Sequence, residues 1–211
     1  MVQKQILKER DNFLKTLQQF DEANNDAWEL EADKFVEEMQ ELSGTIGKQL
    51  RPEQLVIMGL LLKSQQHATL VQLATGFGKS LILALLANYL NKTTGKKVII
   101  LVPSAFLHAY QQFFYCPTAS NIPDKITDPN AKNIFYCTFD RFNAPEFEMP
   151  IDAILLVDEF HDIFFNQPAT VINGKLVSTI LKLRASAKLI GESATFRGDV
   201  GIDKINTIMS A

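Results

Sequence analysis

VQLATGFGKS, residues 71–80, joins a short apolar run to a turn with two glycines and the pair Lys79–Ser80. Gly76 and Gly78 allow the backbone to curl tightly around an anion, and the helix that follows presents partial positive charge at its first N–H groups. In such a loop a lysine reaches the β- and γ-phosphates of a nucleotide, and a serine hydroxyl ligates Mg²⁺. The stretch therefore predicts a phosphate-binding loop with Lys79 on the phosphates and Ser80 on the metal.

The segments around this loop alternate between strand-like and helix-like patterns. Apolar, β-branched runs predict strands, and longer amphipathic runs predict helices. Near-continuous Val, Ile and Leu strands separated by helices indicate a mainly parallel sheet covered by helices on both faces. We therefore expect an α/β domain over residues 49–211. Its predicted strands are 68–74, 98–103, 133–138, 153–160 and 188–195, and its predicted helices are 79–91, 104–114 and 177–186.

Residues 1–48 differ in texture, because they are rich in Glu, Gln and Lys and contain no proline. Apolar residues recur there at helical spacing in two groups, which predicts a helical extension of two helices. Asn25 or Asp26 is the expected cap of the second helix, and residues 43–48 form a plausible hinge. The extension either packs on the core or forms a partner interface. The two groups are Leu7, Phe13, Leu14, Leu17, Phe20 and Trp28, Ala32, Phe35, Val36, Met39, Leu42.

A second motif, ILLVDEFHD at residues 154–162, ends an apolar strand in two adjacent acids. Ligands of open α/β sheets bind at the carboxyl ends of the strands. At that place Asp158 can hold Mg²⁺ through water, and Glu159 can orient and deprotonate an attacking water. For His161 three interpretations stay open: a contact with the third motif, a contact with a partner domain, or an ordinary surface histidine.

A third motif, GESATF at residues 191–196, follows another apolar strand. Parallel strands bring their carboxyl ends to the same edge of a sheet, so this motif is expected beside the acidic pair. Ser193 and Thr195 supply hydroxyls that can hydrogen-bond to the carboxylates of Asp158 and Glu159. We expect them to sense the state of the nucleotide.

Composition limits the function classes. With 211 residues, 46% of them hydrophobic, and a net charge of −3, the chain has the composition of a globular protein. A pI near 5.7 argues against a strongly basic surface, although a local basic groove remains compatible with it. Cys116 and Cys137 form no CxxC pair, which predicts reduced thiols and no zinc site. The charged N-terminus and the short apolar runs predict a soluble intracellular protein, in cytoplasm or nucleus, without membrane insertion.

Taken in order, the motifs resemble those of the first RecA-like motor domain of superfamily 2 helicases, over residues 50 to about 200. RPEQ resembles the adenine-recognition motif, ATGFGKS motif I, VPSAFLHAYQQF motif Ia, YCTFDRF motif Ib, VDEFH a DEAD/DEAH-type motif II, and SAT motif III. The resemblance implies ATP and Mg²⁺ as cofactors and ATP hydrolysis by Lys79, Asp158 and Glu159. The cofactor-binding residues that it implies are Arg51, Gln54, Thr75, Gly76, Phe77, Gly78, Lys79, Ser80, Ser193 and Thr195, with Ser80 and Asp158 as metal ligands.

The resemblance also implies a second RecA-like domain, in cis or in trans, because superfamily 2 motors bind ATP between two such domains. The second domain supplies an arginine finger. In related phosphoryl-transfer enzymes this finger contributes ~10³–10⁵ in rate, or ~4–7 kcal/mol. We therefore expect this chain to bind ATP–Mg²⁺ and to hydrolyse it slowly by itself.

The polymer on which such a motor acts stays open at this point. The first expectation is an RNA or DNA strand lying near Pro103 and Ser104 of motif Ia and Thr138 and Arg141 of motif Ib. The alternative is a polypeptide, because residues 51–111 also resemble the motor domain of SecA, the preprotein-export ATPase. Phe77 stands where SecA has an acid, however, and the SAT motif is helicase-like. A third possibility is a nucleotide-binding interaction module.

Overall fold

The computed structural model describes residues 25–64, 66–123, 133–162 and 181–194, together with Lys8, Asp11, Asn12, Lys15 and Thr179. The chain forms two compact units, Met1–Gln65 and Gln66–Ala211. The sequence placed a domain boundary after residue 48, and that boundary stays a prediction. Most of the first predicted N-terminal helix and Thr195 of the third motif lie outside the described residues.

The N-terminal unit contains helices α1 (Asn25–Thr45) and α2 (Pro52–Lys63). Helix α1 starts at one of the two expected cap residues and continues three residues into the predicted hinge. The turn follows at residues 46–47, where Gly47 has a φ of +66°. Helix α2 was not predicted. Pro52 suits its first position, because the fixed φ of proline is helical and its missing N–H would have no acceptor there. The buried positions of α1 share one face: Ala32, Phe35, Val36, Met39 and Ser43.

The second unit is built on a six-stranded parallel sheet in the order β1-β6-β5-β2-β4-β3. The five predicted strands are all present. The additional strand β3 has two residues, which is too short for an apolar pattern to indicate. The strands are β1 (Ala68–Gln72), β2 (Val98–Val102), β3 (Ser120–Asn121), β4 (Ile134–Thr138), β5 (Ile154–Val157) and β6 (Lys188–Ser193).

Three helices with defined bounds accompany this sheet: α3 (Lys79–Thr94), α4 (Ala105–Tyr115) and α5 (Phe139–Asn143). Residues 181–184 are also helical. Every residue of β2 and β5 is buried, as expected for central strands with both faces covered. The predicted α/β, RecA-like arrangement of a parallel sheet and helices is thereby confirmed. Among the residues that the structure describes, no helix has the length and apolarity that a membrane crossing needs.

The two faces of the sheet differ in what covers them. On one face, alternate residues of β2, β4, β5 and β6 pack with Phe139, Phe142, Phe160 and Leu183 in one buried hydrophobic cluster. Helix α4 lies on the other face, where its Gln111 reaches Asp158 at the end of β5. Side chains of a strand alternate between faces, so each residue near the acidic pair is assigned to a face by its register. Both cysteines are buried free thiols.

Gly191 of β6 is packed so closely that a side chain would not fit. A Cβ atom at this position would lie 2.7 Å from a Leu70 methyl and 2.8 Å from the Phe160 ring. We predict that Gly191→Ala lowers the free energy of unfolding by about 1–3 kcal/mol, because overpacking forces neighbours from their rotamers. Urea unfolding measures the change.

Gly44 in helix α1 provides the matched control, since a Cβ there would meet nothing within 4 Å. Gly44→Ala is expected to stabilise by up to ~1 kcal/mol, because alanine favours the helix. Equal midpoints for wild type and Gly191→Ala would contradict the packing described for β6.

Candidate functional site

The predicted phosphate loop connects β1 to α3 as an exposed turn. Gly76 and Gly78 have φ values of +79° and +88°, a region that side chains disfavour, so glycine is needed at both positions. The Phe77 N–H donates to the Ala74 carbonyl at 3.1 Å, which closes the turn. Gly78 is the N-cap of α3 and its carbonyl accepts from the N–H of Leu81 at 3.0 Å. The first N–H groups of α3 therefore open towards the loop, as an anion site requires.

Lys79 and Glu159 form an ion pair across the edge of the sheet. The Lys79 ammonium lies 3.6 Å from Glu159 Oε1, and both side chains are largely shielded, with exposed fractions of 11% and 25%. Lys79 is the first residue of α3, and Glu159 follows β5 by two residues. The parallel sheet thus brings the lysine of the first motif to an acid of the second.

Ser80 and Asp158 are joined by a residue that the sequence did not single out. Gln111 of α4 is fully buried, and its amide nitrogen donates to Ser80 Oγ at 3.0 Å and to Asp158 Oδ2 at 2.6 Å. Both amide hydrogens are used in this way. The hydroxyl and the carboxylate predicted to hold Mg²⁺ are therefore fixed relative to each other by one side chain.

Asp158 is a buried carboxyl group, and on balance its surroundings disfavour its ionised form. Burial raises its pKa above the usual range, and the neighbouring negative charge of Glu159 raises it further. The hydrogen bond from Gln111 and the positive charge of Lys79 act in the opposite direction. Gln111 therefore stabilises the ionised form of Asp158, which is the form that holds a cation.

Glu159 is oriented by the third motif. Its Oε2 accepts from the Ser193 hydroxyl at 3.2 Å and from the Ala194 N–H at 3.3 Å, while Oε1 faces Lys79. Glu159 adopts a positive φ of +49°, which is rare for a residue with a side chain and costs of order 1–3 kcal/mol. The Phe160 N–H donates to the Glu192 carbonyl at 3.0 Å and holds this turn against β6.

His161 makes the contact with the third motif that was one of its three interpretations. Its Nδ1 lies 2.6 Å from Ser193 Oγ and 3.5 Å from Glu159 Oε2, and its Nε2 lies 3.1 Å from Asp162 Oδ1. The second and third motifs are thus linked by hydrogen bonds at the edge formed by β5 and β6.

Arg51 and Gln54 belong to the N-terminal unit and lie at the start of its helix α2, where Gln54 Oε1 accepts from the Arg51 N–H at 2.9 Å. Their role in adenine recognition stays a prediction. Thr75 is exposed in the phosphate loop, and Phe77 is half-buried there. Thr195 lies outside the described residues.

The residues predicted to face a strand of nucleic acid lie beyond β2 and β4, which are neighbours. Val102 pairs with Thr138, so Ser104 and Arg141 follow the same edge of the sheet. Ser104 caps α4 by accepting from the Leu107 N–H, and Thr138 caps α5 by accepting from the Arg141 N–H. Arg141 also pairs with Glu146 at 3.3 Å.

Two residues of the site were missed by the sequence analysis: Gln111 and Glu192. Glu192 is fully buried in β6, and burial together with the charge of Asp158 raises its pKa well above the usual range. An acid inside the apolar strand KLIGES was a visible signal. For Gln111 the signal in the sequence was weaker, because Gln112 stands next to it and has the same side chain. Only the folded structure shows that Gln111 donates to Asp158, whereas Gln112 donates to the Ala119 carbonyl.

The arrangement fits Mg²⁺ and a nucleoside triphosphate. Mg²⁺ prefers oxygen ligands and is held by one or two protein groups plus water and phosphates, which matches the Ser80 hydroxyl and the Asp158 carboxylate. The loop supplies two positive-φ glycines, an exposed turn and a helix N-terminus, which suit phosphates. Lys79 supplies the counter-charge.

Gln111→Leu is expected to lower the free energy of unfolding by about 1.5–3 kcal/mol, because a hydrogen bond to a buried charged group is lost. Gln112→Leu loses a bond to the Ala119 carbonyl and a contact of its Oε1 with His108 Nε2, neither of them to a buried carboxylate, and should cost less. Urea unfolding of both variants provides the comparison. A double-mutant cycle with Asp158→Ala then isolates the pair. If Gln111→Leu lowered the free energy of unfolding equally in the wild type and in Asp158→Ala, the described contact would be contradicted.

The buried acid Glu192 predicts a specific dependence of stability on pH. As pH rises above about 4.3, Glu192 ionises more readily in the unfolded chain than in the folded chain, where burial raises its pKa. Unfolding then releases a proton, so stability falls as pH rises, by up to ~1.4 kcal/mol per pH unit. Glu192→Gln removes this contribution.

The measurement is the difference in unfolding free energy between wild type and Glu192→Gln from about pH 4.5 to about pH 7. The difference should grow with pH in favour of the variant. Glu148→Gln, which removes an exposed carboxyl of the same unit, is the control. A difference for Glu192→Gln that does not change with pH would be inconsistent with its burial.

Comparisons with known proteins address the family of the chain. Residues 33–198 match the ResIII family, described as the type III restriction enzyme, res subunit. The UvsW helicase from bacteriophage T4 is similar in structure, with a TM-score of 0.56 and 21% sequence identity over 77% of this chain and 59% of that chain. A nuclease-deletion mutant of the Type ISP restriction-modification enzyme LlaGI, in complex with a DNA substrate mimic, gives a TM-score of 0.49 and 16% identity. That match covers 72% of this chain and 18% of the other.

No curated protein sequence matches the chain. The present chain spans about three fifths of the UvsW chain, and the similarity between the two is one of fold. The family match covers most of the residues, including all three motifs. The predicted resemblance to the N-terminal RecA-like domain of superfamily 2 helicases is confirmed, and the chain belongs to the ResIII family.

Proposed function

We propose that this chain is the ATP-binding half of an ATP-dependent helicase or nucleic-acid translocase. The main observation behind the proposal is that two contacts between the motifs lie at the same edge of the sheet. Lys79 pairs with Glu159 at 3.6 Å, and Gln111 joins Ser80 to Asp158. These four side chains match the phosphate, water and metal roles expected from the motifs. Membership of the ResIII family supports the same proposal.

In this proposal the phosphates of ATP lie in the loop from Thr75 to Ser80, with Lys79 as their counter-charge. Ser80 and Asp158 would hold Mg²⁺, which would neutralise charge on the phosphates when bound. Gln111 keeps both ligands in place before the nucleotide arrives. Arg51 and Gln54 are proposed to bind the adenine.

Glu159 is the proposed base that orients the attacking water. Because Ser193 and Ala194 hold its Oε2, its other oxygen is directed towards Lys79. Binding of phosphates draws the lysine away, and Oε1 then accepts a hydrogen bond from water. Ser193 thereby ties the position of the base to the third motif, and Thr195 is proposed to act beside it.

The proposed track is a nucleic-acid strand across Ser104 and Arg141 at the same edge. The description of the family names a restriction enzyme subunit, which makes DNA the first strand to test. Contacts to phosphates make such binding weaken steeply with salt. A second RecA-like domain is part of the proposal, since an arginine finger contributes ~10³–10⁵ in rate. A polypeptide track, as in SecA, remains the alternative.

We predict that the wild-type chain binds ATP–Mg²⁺ and that Lys79→Ala weakens this binding by at least about tenfold, or ~1.4 kcal/mol. Glu159→Gln should keep the affinity and lose the slow turnover, because the amide cannot accept the proton. Calorimetry measures binding, and phosphate release measures turnover with single-stranded DNA, poly-U RNA or unfolded protein added.

Lys92→Ala is the matched control, because it removes an exposed lysine from the same helix. Its affinity should equal that of wild type. Stimulation by unfolded protein and not by either nucleic acid would favour the SecA-like alternative. Absence of ATP binding by the wild type would refute the proposed function.

A further inference from the structure

Glu192 is the most unusual polar group of the described residues. Its side chain is fully buried, and neither carboxyl oxygen has a hydrogen-bond partner among them. Each buried polar group left unsatisfied costs about 1–3 kcal/mol. A leucine at this position would avoid that cost. We therefore expect the carboxyl group of Glu192 to have a role in the site.

The register of the sheet places Glu192 beside Asp158. Val157 of β5 pairs with Gly191 of β6, and Asp158 and Glu192 are the next residues of the two segments. A Cβ on Gly191 would meet Leu70 and Phe160 on the face of the hydrophobic cluster. Because side chains alternate, Glu192 points to the opposite face, where Gln111 contacts Asp158.

One more buried polar atom without a hydrogen-bond partner among the described residues lies beside Asp158. It is Gln111 Oε1, on the amide whose nitrogen donates to Asp158. Unsatisfied buried polar groups are rare in folded proteins, so their grouping around one carboxylate indicates a shared partner. A buried water typically makes about three hydrogen bonds to such groups.

We propose that Glu192 is a positioning residue that holds water against Asp158, and that this water belongs to the outer coordination shell of Mg²⁺ when nucleotide is bound. This inference rests on the proposed function. A carboxyl group can hydrogen-bond a bridging water, which a leucine side chain cannot. Mg²⁺ retains several of its waters in protein sites, and residues that hold such waters tune metal affinity.

The test compares Glu192→Leu with Glu192→Gln in the full chain. Affinity for a fluorescent ADP analogue is measured with Mg²⁺ and with EDTA, and urea unfolding is measured without nucleotide. Glu192→Leu should be at least as stable as wild type, since it removes the cost of burying a carboxyl group in an apolar strand. The factor by which Mg²⁺ raises its nucleotide affinity should be about 10–100-fold smaller than in wild type. Its affinity in EDTA should be unchanged. Glu192→Gln should keep that gain within about threefold, because an amide also donates and accepts.

A full gain from Mg²⁺ in Glu192→Leu would overturn the inference while leaving the proposed function intact. A loss in Glu192→Gln as large as in Glu192→Leu would also overturn it. Should Glu192→Leu fail to fold, Glu192→Met provides the decision, because its unbranched apolar side chain adapts to the space and holds no water. An unchanged Mg²⁺ gain in Glu192→Met then counts against the inference, and a loss of several-fold supports it. Absence of nucleotide binding by wild type in both buffers would refute the proposed function and this inference together.

Discussion

The register in which β5 pairs with its two neighbours is the constraint on which the site depends. Val157 lies opposite Leu101 of β2 and Gly191 of β6, so the chain leaves the sheet at Asp158 beside the third motif. A shift of one residue would turn Asp158 towards the hydrophobic cluster and away from Gln111. The continuous burial of β2 and β5 resists such a shift, because every side chain of both strands is enclosed.

Helix α4 shows how the polar site shapes the packing around it. Its only buried residue is Gln111, whereas Phe106 and Phe113 are 77% and 74% exposed. An apolar helix would normally bury its aromatic residues. Here the side chain of α4 that is buried against the sheet is polar, and it donates to Ser80 and Asp158. The bonds to Ser80 and Asp158 therefore help to hold α4 on the sheet.

The parallel sheet could be predicted from sequence because its inner strands are short, continuous apolar runs. Strand β3 could not, since Ser120 and Asn121 carry no apolar pattern and pair only through their backbones. The position of Ser193 beside the acidic pair followed from the order of the strands. The contributions of Gln111 and Glu192 did not, because each depends on a contact between segments distant in sequence. The local sequence pattern shows which residues are apolar. It does not show which buried polar atoms form hydrogen bonds with distant segments.

The edge position of β1 has a consequence for synthesis of the protein. This strand leads into the predicted phosphate loop, and within the part of the chain that the structure describes its only neighbour in the sheet is β6. Ala68 pairs with Leu189, so the pair spans 121 residues of chain. At the usual ~5–20 residues per second, a ribosome needs about 6–24 s to make the partner strand after β1. During that interval β1 cannot close the sheet, and the loop that it carries has no fixed acidic partner. The proposed nucleotide site is therefore completed late in synthesis, and an arrested nascent chain exposes an apolar strand edge.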